Sequence, residues 1–162
     1  MIENQRRINT MKFNLRNVLP ANTAAFNGFP VIRWLTVPFL VVAIVRSCIH
    51  LFSADGGAQS IAGIDTAVEG GNNIIALFHQ WGAIQLILAV LLAVFFIRYP
   101  GLTPLVLLAL AADPVLRDIA GKIMPITSTG TPPGATLNGP VFVAVFLLFV
   151  ASFAERKNLR KS

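Results

Sequence analysis

Residues 84–97 read IQLILAVLLAVFFI, and this run decides the fold class of the chain. Gln85 is its only polar residue, and the apolar character extends back to about Ile74. A helix that crosses a bilayer needs about 20 predominantly apolar residues, so the segment 74–97 is long enough to do so. The segment therefore predicts a membrane-spanning helix.

Three further apolar segments predict three more spans, at about 31–52, 102–124 and 140–153. The last is short for a full crossing, so we expect the residues before it, Leu137-Asn138-Gly139, to lie in the interface. The predicted fold class is an all-α integral membrane four-helix bundle. The chain divides into a basic N-terminal tail at 1–30, the four-span bundle at 31–155 and a basic C-terminal tail at 156–162.

The composition of the chain agrees with a membrane protein. Of the 162 residues, 55% are hydrophobic and only 12% are charged, against about 25% charged residues in soluble domains. The mean hydropathy is +0.70. The formal net charge is +6, but no basic stripe with interleaved aromatic residues predicts a nucleic-acid partner.

The positions of the basic residues predict the orientation of the spans. Lys and Arg lie in both tails and at Arg98, in the turn between spans two and three, whereas the loop 53–73 has three acidic residues and no basic one. By the positive-inside rule, both termini are cytoplasmic. We expect a multi-pass protein of a bacterial inner membrane, with an organellar inner membrane as the alternative. The N-terminal tail is expected to be partly disordered or to lie on the inner surface, against anionic lipid.

The two outer loops differ in their predicted structure. The loop 53–73 is rich in Gly, Ala and Asp, and a short surface helix is expected near Ile61–Val68. The loop at Thr127–Gly134 contains Pro132-Pro133 and is expected to be irregular and stiff. Cys48 is the only cysteine, so no intrachain disulfide is possible, and we expect it to act as a small buried hydrophobe.

The third apolar segment contains LAADPVLRD at 110–118, with two carboxylates and an arginine where the chain otherwise resembles a membrane span. Ionisable groups are costly in a bilayer and persist where they pair or face a polar cavity. Any activity is therefore expected there. A buried helix of a soluble protein is the alternative for this segment, but the spans on both sides favour a membrane bundle.

Polar residues from three spans are predicted to meet in the outer half of the bilayer. At about 1.5 Å of rise per residue, Arg46, His79 and Arg117 each lie roughly 9 Å below the outer boundary. His50 lies nearer the boundary, and Gln85 and Asp113 lie nearer the midplane. The candidate polar pocket consists of Arg46, His50, His79, Gln85, Asp113, Arg117 and Asp118.

Helical spacing suggests how this cluster is paired. Asp113 and Arg117 are four residues apart, so they are placed for a same-helix ion pair. Asp118 is about 100° away from Arg117 around the helix and is expected to face Arg46. With two arginines and two aspartates, the formal charges of the cluster cancel, which allows it to persist in a low dielectric. A kink at Pro114 would open room beside Asp113.

Two interpretations of the cluster stay open: it fixes which helix packs against which, or it forms a pocket that handles a ligand or a proton. His50, His79 and Asp118 would supply three metal ligands, but the spacing matches no metal motif. We predict no metal and no cofactor. The chain contains no Walker loop, dinucleotide fingerprint or nucleophile elbow, so an enzyme is the less favoured class.

Three stretches carry a family resemblance: HQWGAIQL at 79–86, RYPGLTPL at 98–105, and Arg117 with TPPGA at 131–135. Over about 31–155 the chain resembles small, uncharacterised four-helix bacterial membrane proteins that are loosely DoxX-like. The resemblance implies a four-helix membrane fold. Some DoxX-type proteins are associated with redox or quinone-linked partners, but the cysteine pairs of a thiol redox protein are missing here.

Three functional hypotheses follow. The first is a structural or accessory membrane protein that binds lipid, a membrane protein partner or a second copy of itself; Gly82 would admit a close helix contact. The alternative is a small carrier or binding protein for a polar or anionic molecule, with Arg46 and Arg117 as anion contacts and Asp113 as proton acceptor. The second alternative is a quinone- or redox-linked protein that uses His50 or His79.

Overall fold

The computed structural model describes residues 13–155 and has four α-helices within them. The expected all-α class is confirmed, and the only β-type pairing in this range is an isolated bridge between Phe13 and Ala154. Short 3-10 helices at Leu15–Val18 and Pro100–Leu102 complete the regular structure. The four helices are α1 (Pro30–Phe52), α2 (Gly71–Arg98), α3 (Thr103–Ile123) and α4 (Pro133–Ala151).

Three of these helices, α1, α2 and α4, are long and apolar enough to cross a membrane. Their most apolar windows have mean hydropathies between 2.0 and 2.2. Helix α3 has 21 residues, which is also sufficient for a crossing. It falls outside this group because it carries Asp113, Arg117 and Asp118. The three apolar helices thus suggest a membrane protein, and α3 differs from them chemically.

The bounds of α1, α2 and α3 lie within three residues of the expected segments. Helix α4 begins at Pro133, seven residues before the expected start at 140, so the last two residues of the loop expected to be irregular are helical. Pro133 stands at the first helical position, where its fixed φ is suited to a helix and its missing N–H has no cost. The helix continues through Pro140, which we had expected to mark the start of the span.

The loop between α1 and α2 contains no α-helix near Ile61–Val68, contrary to expectation. Residues 54–62 form consecutive turns instead. Gly56, Gly57 and Gly63 have positive φ values of 59°, 76° and 66°. A right-handed helix cannot continue through a residue with positive φ, so these glycines interrupt any helix in the loop.

The helices pack as two hairpins, α1 with α2 and α3 with α4. Two apolar clusters join them on the side of the turn at residues 99–102. One contains Leu107, Ala111 and Val145 around Ile32, and the other contains Leu40, Leu92, Phe96 and Val106. The apolar core therefore occupies the half of the bundle nearer that turn, and the polar cluster occupies the other half.

Residues 13–28 pack on the bundle, so this part of the N-terminal tail is ordered rather than free. Asn14 and Asn17 donate to Glu155 Oε1 at 3.3 and 3.2 Å. The amide of Gly101 donates to the Thr23 carbonyl at 2.9 Å. Residues 1–12 and 156–162 lie outside the described residues, so the expectation for the whole tail, partial disorder or a position on the inner surface, stays a prediction.

Candidate functional site

Asp113 on α3 is the centre of the polar cluster. Its Oδ2 atom lies 3.2 Å from Arg46 Nη2 on α1 and 3.0 Å from Arg117 Nη2 one turn further along α3. The same-helix pair follows from the i, i+4 spacing. The pair with Arg46 connects the two hairpins, because α1 belongs to one and α3 to the other.

Helix α2 contributes Gln85 and Trp81 to the same cluster. With its amide oriented to accept from both donors, the Gln85 oxygen lies 2.9 Å from Trp81 Nε1 and 3.2 Å from Arg46 Nη2. The Arg46 guanidinium lies 5.9 Å from the Trp81 ring centroid. Trp81 was not predicted as a site residue, although its position four residues before Gln85 places both on one face of the helix.

Asp118 does not belong to the cluster, and its expected approach to Arg46 is not observed. Its Oδ2 atom lies 2.6 Å from Lys122 Nζ on the same helix, and the two side chains are 56% and 75% exposed. Asp118 lies about 100° around α3 from Arg117, which turns it away from the neighbouring helices. The i, i+4 spacing then provides Lys122 as its partner.

Because Asp118 lies outside the cluster, the formal charge of the cluster differs from the expected one. Arg46 and Arg117 share the single carboxylate of Asp113, so the formal charge is +1 rather than the expected zero. Their side chains are each 27% exposed. Both Nε atoms are nevertheless buried and have no hydrogen-bond partner among residues 13–155.

The two histidines lie near the cluster but bind backbone carbonyls. His50, which is buried, donates from Nδ1 to the Gly56 carbonyl at 2.7 Å. His79 donates from Nδ1 to the Leu51 carbonyl at 2.9 Å. The Leu51 carbonyl belongs to the last turn of α1, where carbonyls have no intrahelical partner. In these contacts both histidines stabilise the end of the α1–α2 hairpin at which its connecting loop lies.

The rings of His50, Phe78 and Trp81 form a layer between the cluster and the loop that connects α1 to α2. The His50 ring centroid is 4.6 Å from that of Trp81 and 5.9 Å from that of Phe78. Phe78 and Trp81 make an edge contact at 5.7 Å. Trp81 donates a hydrogen bond to Gln85 of the cluster, and His50 packs on the Trp81 ring. His50 is therefore connected to the cluster by packing and not by a hydrogen bond of its own.

Helix α4 reaches the cluster with its first turn. A Cβ atom added at Gly134 would lie 3.5 Å from Arg117 Nη1, so the helix start is in van der Waals range of the guanidinium. Asn138 lies one turn further along the same face, and its Oδ1 atom is buried and unpartnered in the described part of the chain. Sequence reasoning did not include Gly134 or Asn138, because α4 was expected to start after them.

The α1–α2 and α3–α4 loops lie at this end of the bundle and are joined to each other. The Thr129 amide and hydroxyl both donate to the Gly63 carbonyl, at 2.8 and 3.2 Å. Within the first loop, Asp55 accepts from the amides of Gly57, Gln59 and Ser60 and from the Ser60 hydroxyl. These hydrogen bonds, that of the Ser60 amide above all, lower the pKa of Asp55 from 3.8 to about 2.

A second arginine contact joins the helices at the opposite end of the bundle. Arg33 on α1 donates to the Phe96 carbonyl at 2.8 Å, to Thr103 Oγ1 at 2.8 Å and to the Pro100 carbonyl at 3.3 Å. Its guanidinium also lies 4.2 Å from the Phe96 ring centroid. Arg33 thereby satisfies carbonyls at the end of α2 and in the turn that follows.

Three other features of the described part of the chain were considered as functional sites: a surface groove, the free cysteine and possible metal ligands. A groove of about 630 Å³ lies at the Arg33 end, lined by residues 14–22, Asn27 and Glu155. Cys48 is half-buried and free. No group of three or more His, Cys, Asp or Glu side chains in residues 13–155 is placed to hold a metal ion.

Comparisons with known proteins give no match for this chain, whether with protein-family models, curated proteins or solved structures.

Proposed function

We propose that this chain is a four-span membrane protein of structural or accessory type, in which the Arg46–Asp113–Arg117 cluster sets the register of the two hairpins. The supporting observation is that Asp113 Oδ2 bonds at once to Arg117 on its own helix and to Arg46 on the other hairpin. An axial shift of either hairpin would separate these charges. In a low dielectric an unpaired charge is far more costly than a paired one, so such a shift is disfavoured.

The same proposal places both termini in the cytoplasm of a bacterial cell and the cluster in the outer half of the inner membrane. Arg98 and the basic residues of the tails, together with the acidic loop 53–73, support this orientation. Helix α3 would then cross the membrane because Asp113 pairs with Arg117 of the same helix and with Arg46 of α1, and ionisable groups persist in a bilayer where they are paired. A DoxX-like ancestry remains part of this proposal.

The apolar surface of α4 suggests what the protein contacts. Only 6% of its most apolar window is buried within the chain, although its mean hydropathy is 2.0. A surface of this kind is suited to lipid tails, a membrane protein partner or a second copy of the chain. An accessory protein that assembles within the membrane accounts for such a surface.

A double-mutant cycle tests the register role. We expect Arg46→Gln and Asp113→Asn each to lower the free energy of unfolding of the detergent-solubilised protein, and the double variant to lose less than their sum. A coupling energy of about 1–2 kcal/mol is expected, near the upper end for polar pairs in membrane bundles. Additive losses would show that this contact does not hold the hairpins together.

The alternative of a binding protein or carrier for an anion is favoured by one specific observation, the second arginine that shares a single carboxylate. The quinone- or redox-linked alternative has less support, because His50 and His79 use their Nδ1 atoms for backbone carbonyls.

A further inference from the structure

The polar cluster carries one more positive charge than its own residues neutralise. Within the four helices Asp113 and Asp118 are the only acidic residues, and Asp118 pairs with Lys122 on an exposed face. The other polar groups beside the arginines, Gln85 and Trp81, are neutral. No second carboxylate of the helices is therefore placed to compensate Arg46 and Arg117.

The two guanidiniums also keep unused donors. Each guanidinium has five N–H groups. Arg46 uses Nη2 to contact Asp113 Oδ2 and Gln85, and Arg117 uses Nη2 to contact Asp113 Oδ2. Both Nε atoms are buried without a partner in the described range. Guanidinium groups present paired N–H donors in a plane that matches the two oxygens of a carboxylate or a phosphate.

The start of α4 adds a second, independent contribution to the positive potential. Gly134, in the first turn of this 19-residue helix, lies against Arg117 Nη1. A helix N-terminus carries the positive end of the helix dipole and favours anions. Because Gly134 has no side chain, none stands between the start of α4 and the guanidinium of Arg117. The side chains of both arginines are 27% exposed.

We infer that Arg46 and Arg117, with the first turn of α4, form a binding site for one oxyanion group, a carboxylate or a phosphate. This inference rests on the proposed membrane topology but not on the register role of the cluster. A bound oxyanion would take the free N–H edges of the guanidiniums and bring the local charge to zero, while Asp113 continues to hold the two side chains. The group can belong to a small solute or to the headgroup of an anionic lipid.

Thermal unfolding of the full chain in a non-ionic detergent tests the site, with inorganic phosphate and acetate as probes and chloride at matched ionic strength as reference. We expect saturable stabilisation by phosphate or acetate beyond that of chloride. Arg117→Gln should weaken the apparent affinity at least tenfold, and Arg117→Lys, which keeps the charge but not the planar donors, should weaken it severalfold. Lys122→Gln makes the same charge change on the same helix at an exposed position and should leave the affinity unchanged.

A second experiment, with lipids, identifies whether the oxyanion is a lipid headgroup. The protein is placed in nanodiscs of phosphatidylcholine alone or with phosphatidylglycerol, and its bound lipid is measured by native mass spectrometry. Retention of phosphatidylglycerol that Arg117→Gln abolishes and Lys122→Gln preserves would assign the site to a lipid headgroup. If neither soluble anions nor phosphatidylglycerol distinguish the wild type from Arg117→Gln, the inference is wrong.

Asp113→Asn separates this inference from the register role. The substitution removes the competing carboxylate, so the oxyanion affinity should rise severalfold even though the protein without anion becomes less stable. A lower stability with no gain in affinity would support the register role and overturn the oxyanion site. Zero coupling in the Arg46–Asp113 cycle together with Arg117-dependent anion binding would support the oxyanion site and overturn the register role.

Discussion

Gly82 on α2 lies directly against the backbone of His50 on α1. A Cβ atom at Gly82 would fall 2.7 Å from the His50 carbonyl carbon and 2.6 Å from the Leu51 amide nitrogen. Both obstacles are backbone atoms of a helix, which cannot move aside as a flexible side chain does. This contact sets the distance between α1 and α2 at the level where His79 and Gln85 reach across to α1.

Gly82→Ala should therefore push α1 and α2 apart and destabilise the protein by about 1–3 kcal/mol, as overpacking of a close contact does. Gly121→Ala is the matched control, because a Cβ atom there meets nothing within 4 Å. In an exposed helix this control should stabilise by up to about 1 kcal/mol, since Ala has the higher helix propensity. Unfolding in detergent measures both, and equal effects of the two variants would contradict the proposed contact.

The two aspartates of α3 should respond differently to the same substitution. Asp113→Asn leaves Arg46 and Arg117 without a carboxylate and should cost about 1–3 kcal/mol, less than a fully buried pair because the site is partly exposed. Asp118→Asn breaks only the exposed pair with Lys122 and should cost less than about 0.5 kcal/mol. A comparison of the two unfolding midpoints checks this, and a larger loss for Asp118→Asn would reverse our assignment.

Arg33→Gln should destabilise the end of the bundle opposite the cluster by about 2–3 kcal/mol, because hydrogen bonds from a charged donor to the Phe96 and Pro100 carbonyls are lost. Arg33→Lys should not rescue it, since an ammonium cannot span three acceptors in a plane. Arg98→Gln is the control: Arg98 is exposed and makes no side-chain hydrogen bond within residues 13–155. The prediction fails if Arg98→Gln has the larger effect on thermal unfolding.

The loop between α1 and α2 should loosen in acid as Asp55 becomes protonated. Its pKa is lowered from 3.8 to about 2, so the carboxylate stabilises the folded loop above the unfolded value of 3.8, and this stabilisation is lost as the pH falls through about 2. Amide exchange of Gln59 and Ser60, corrected for intrinsic rates, should accelerate over that range.

Two variants control for a general effect of acid on the protein. Asp55→Ala should give the fast exchange already near neutral pH, because the acceptors of the Gln59 and Ser60 amides are gone. Asp65→Ala removes one contact with the Ala67 amide and should leave that exchange unchanged. Unchanged protection in Asp55→Ala would show that the turns hold without this carboxylate.

Depth along each helix was readable from the sequence, whereas rotation about each helix was not. Counting residues from the outer ends places Arg46 and Arg117 at one level, and the structure brings them to the same carboxylate. The 100° step between Arg117 and Asp118 was also known, but which of the two faces points inward depends on where the other helices lie. Asp118 was therefore assigned to the wrong partner.

Arg33 and the start of α4 illustrate a second kind of limit. The sequence marks Arg33 as a basic residue near a membrane edge, and nothing local indicates that it will reach carbonyls 63 and 67 positions later in the chain. The Gly139-Pro140 pair resembles a helix start, yet Pro133 begins the helix. A proline within a helix is tolerated where the structure around it compensates, and local pattern does not contain that information.

The sequence by itself determined the number of helices and most of their bounds, because apolar run length and helix-breaking residues act locally. It also determined that charged groups from different helices lie at a similar depth, because the rise per residue is constant. Only the tertiary structure decided that Arg46 and Arg117 share one carboxylate and retain a surplus charge. That outcome depends on the mutual rotation and contact of the packed helices, which no single segment of the chain specifies.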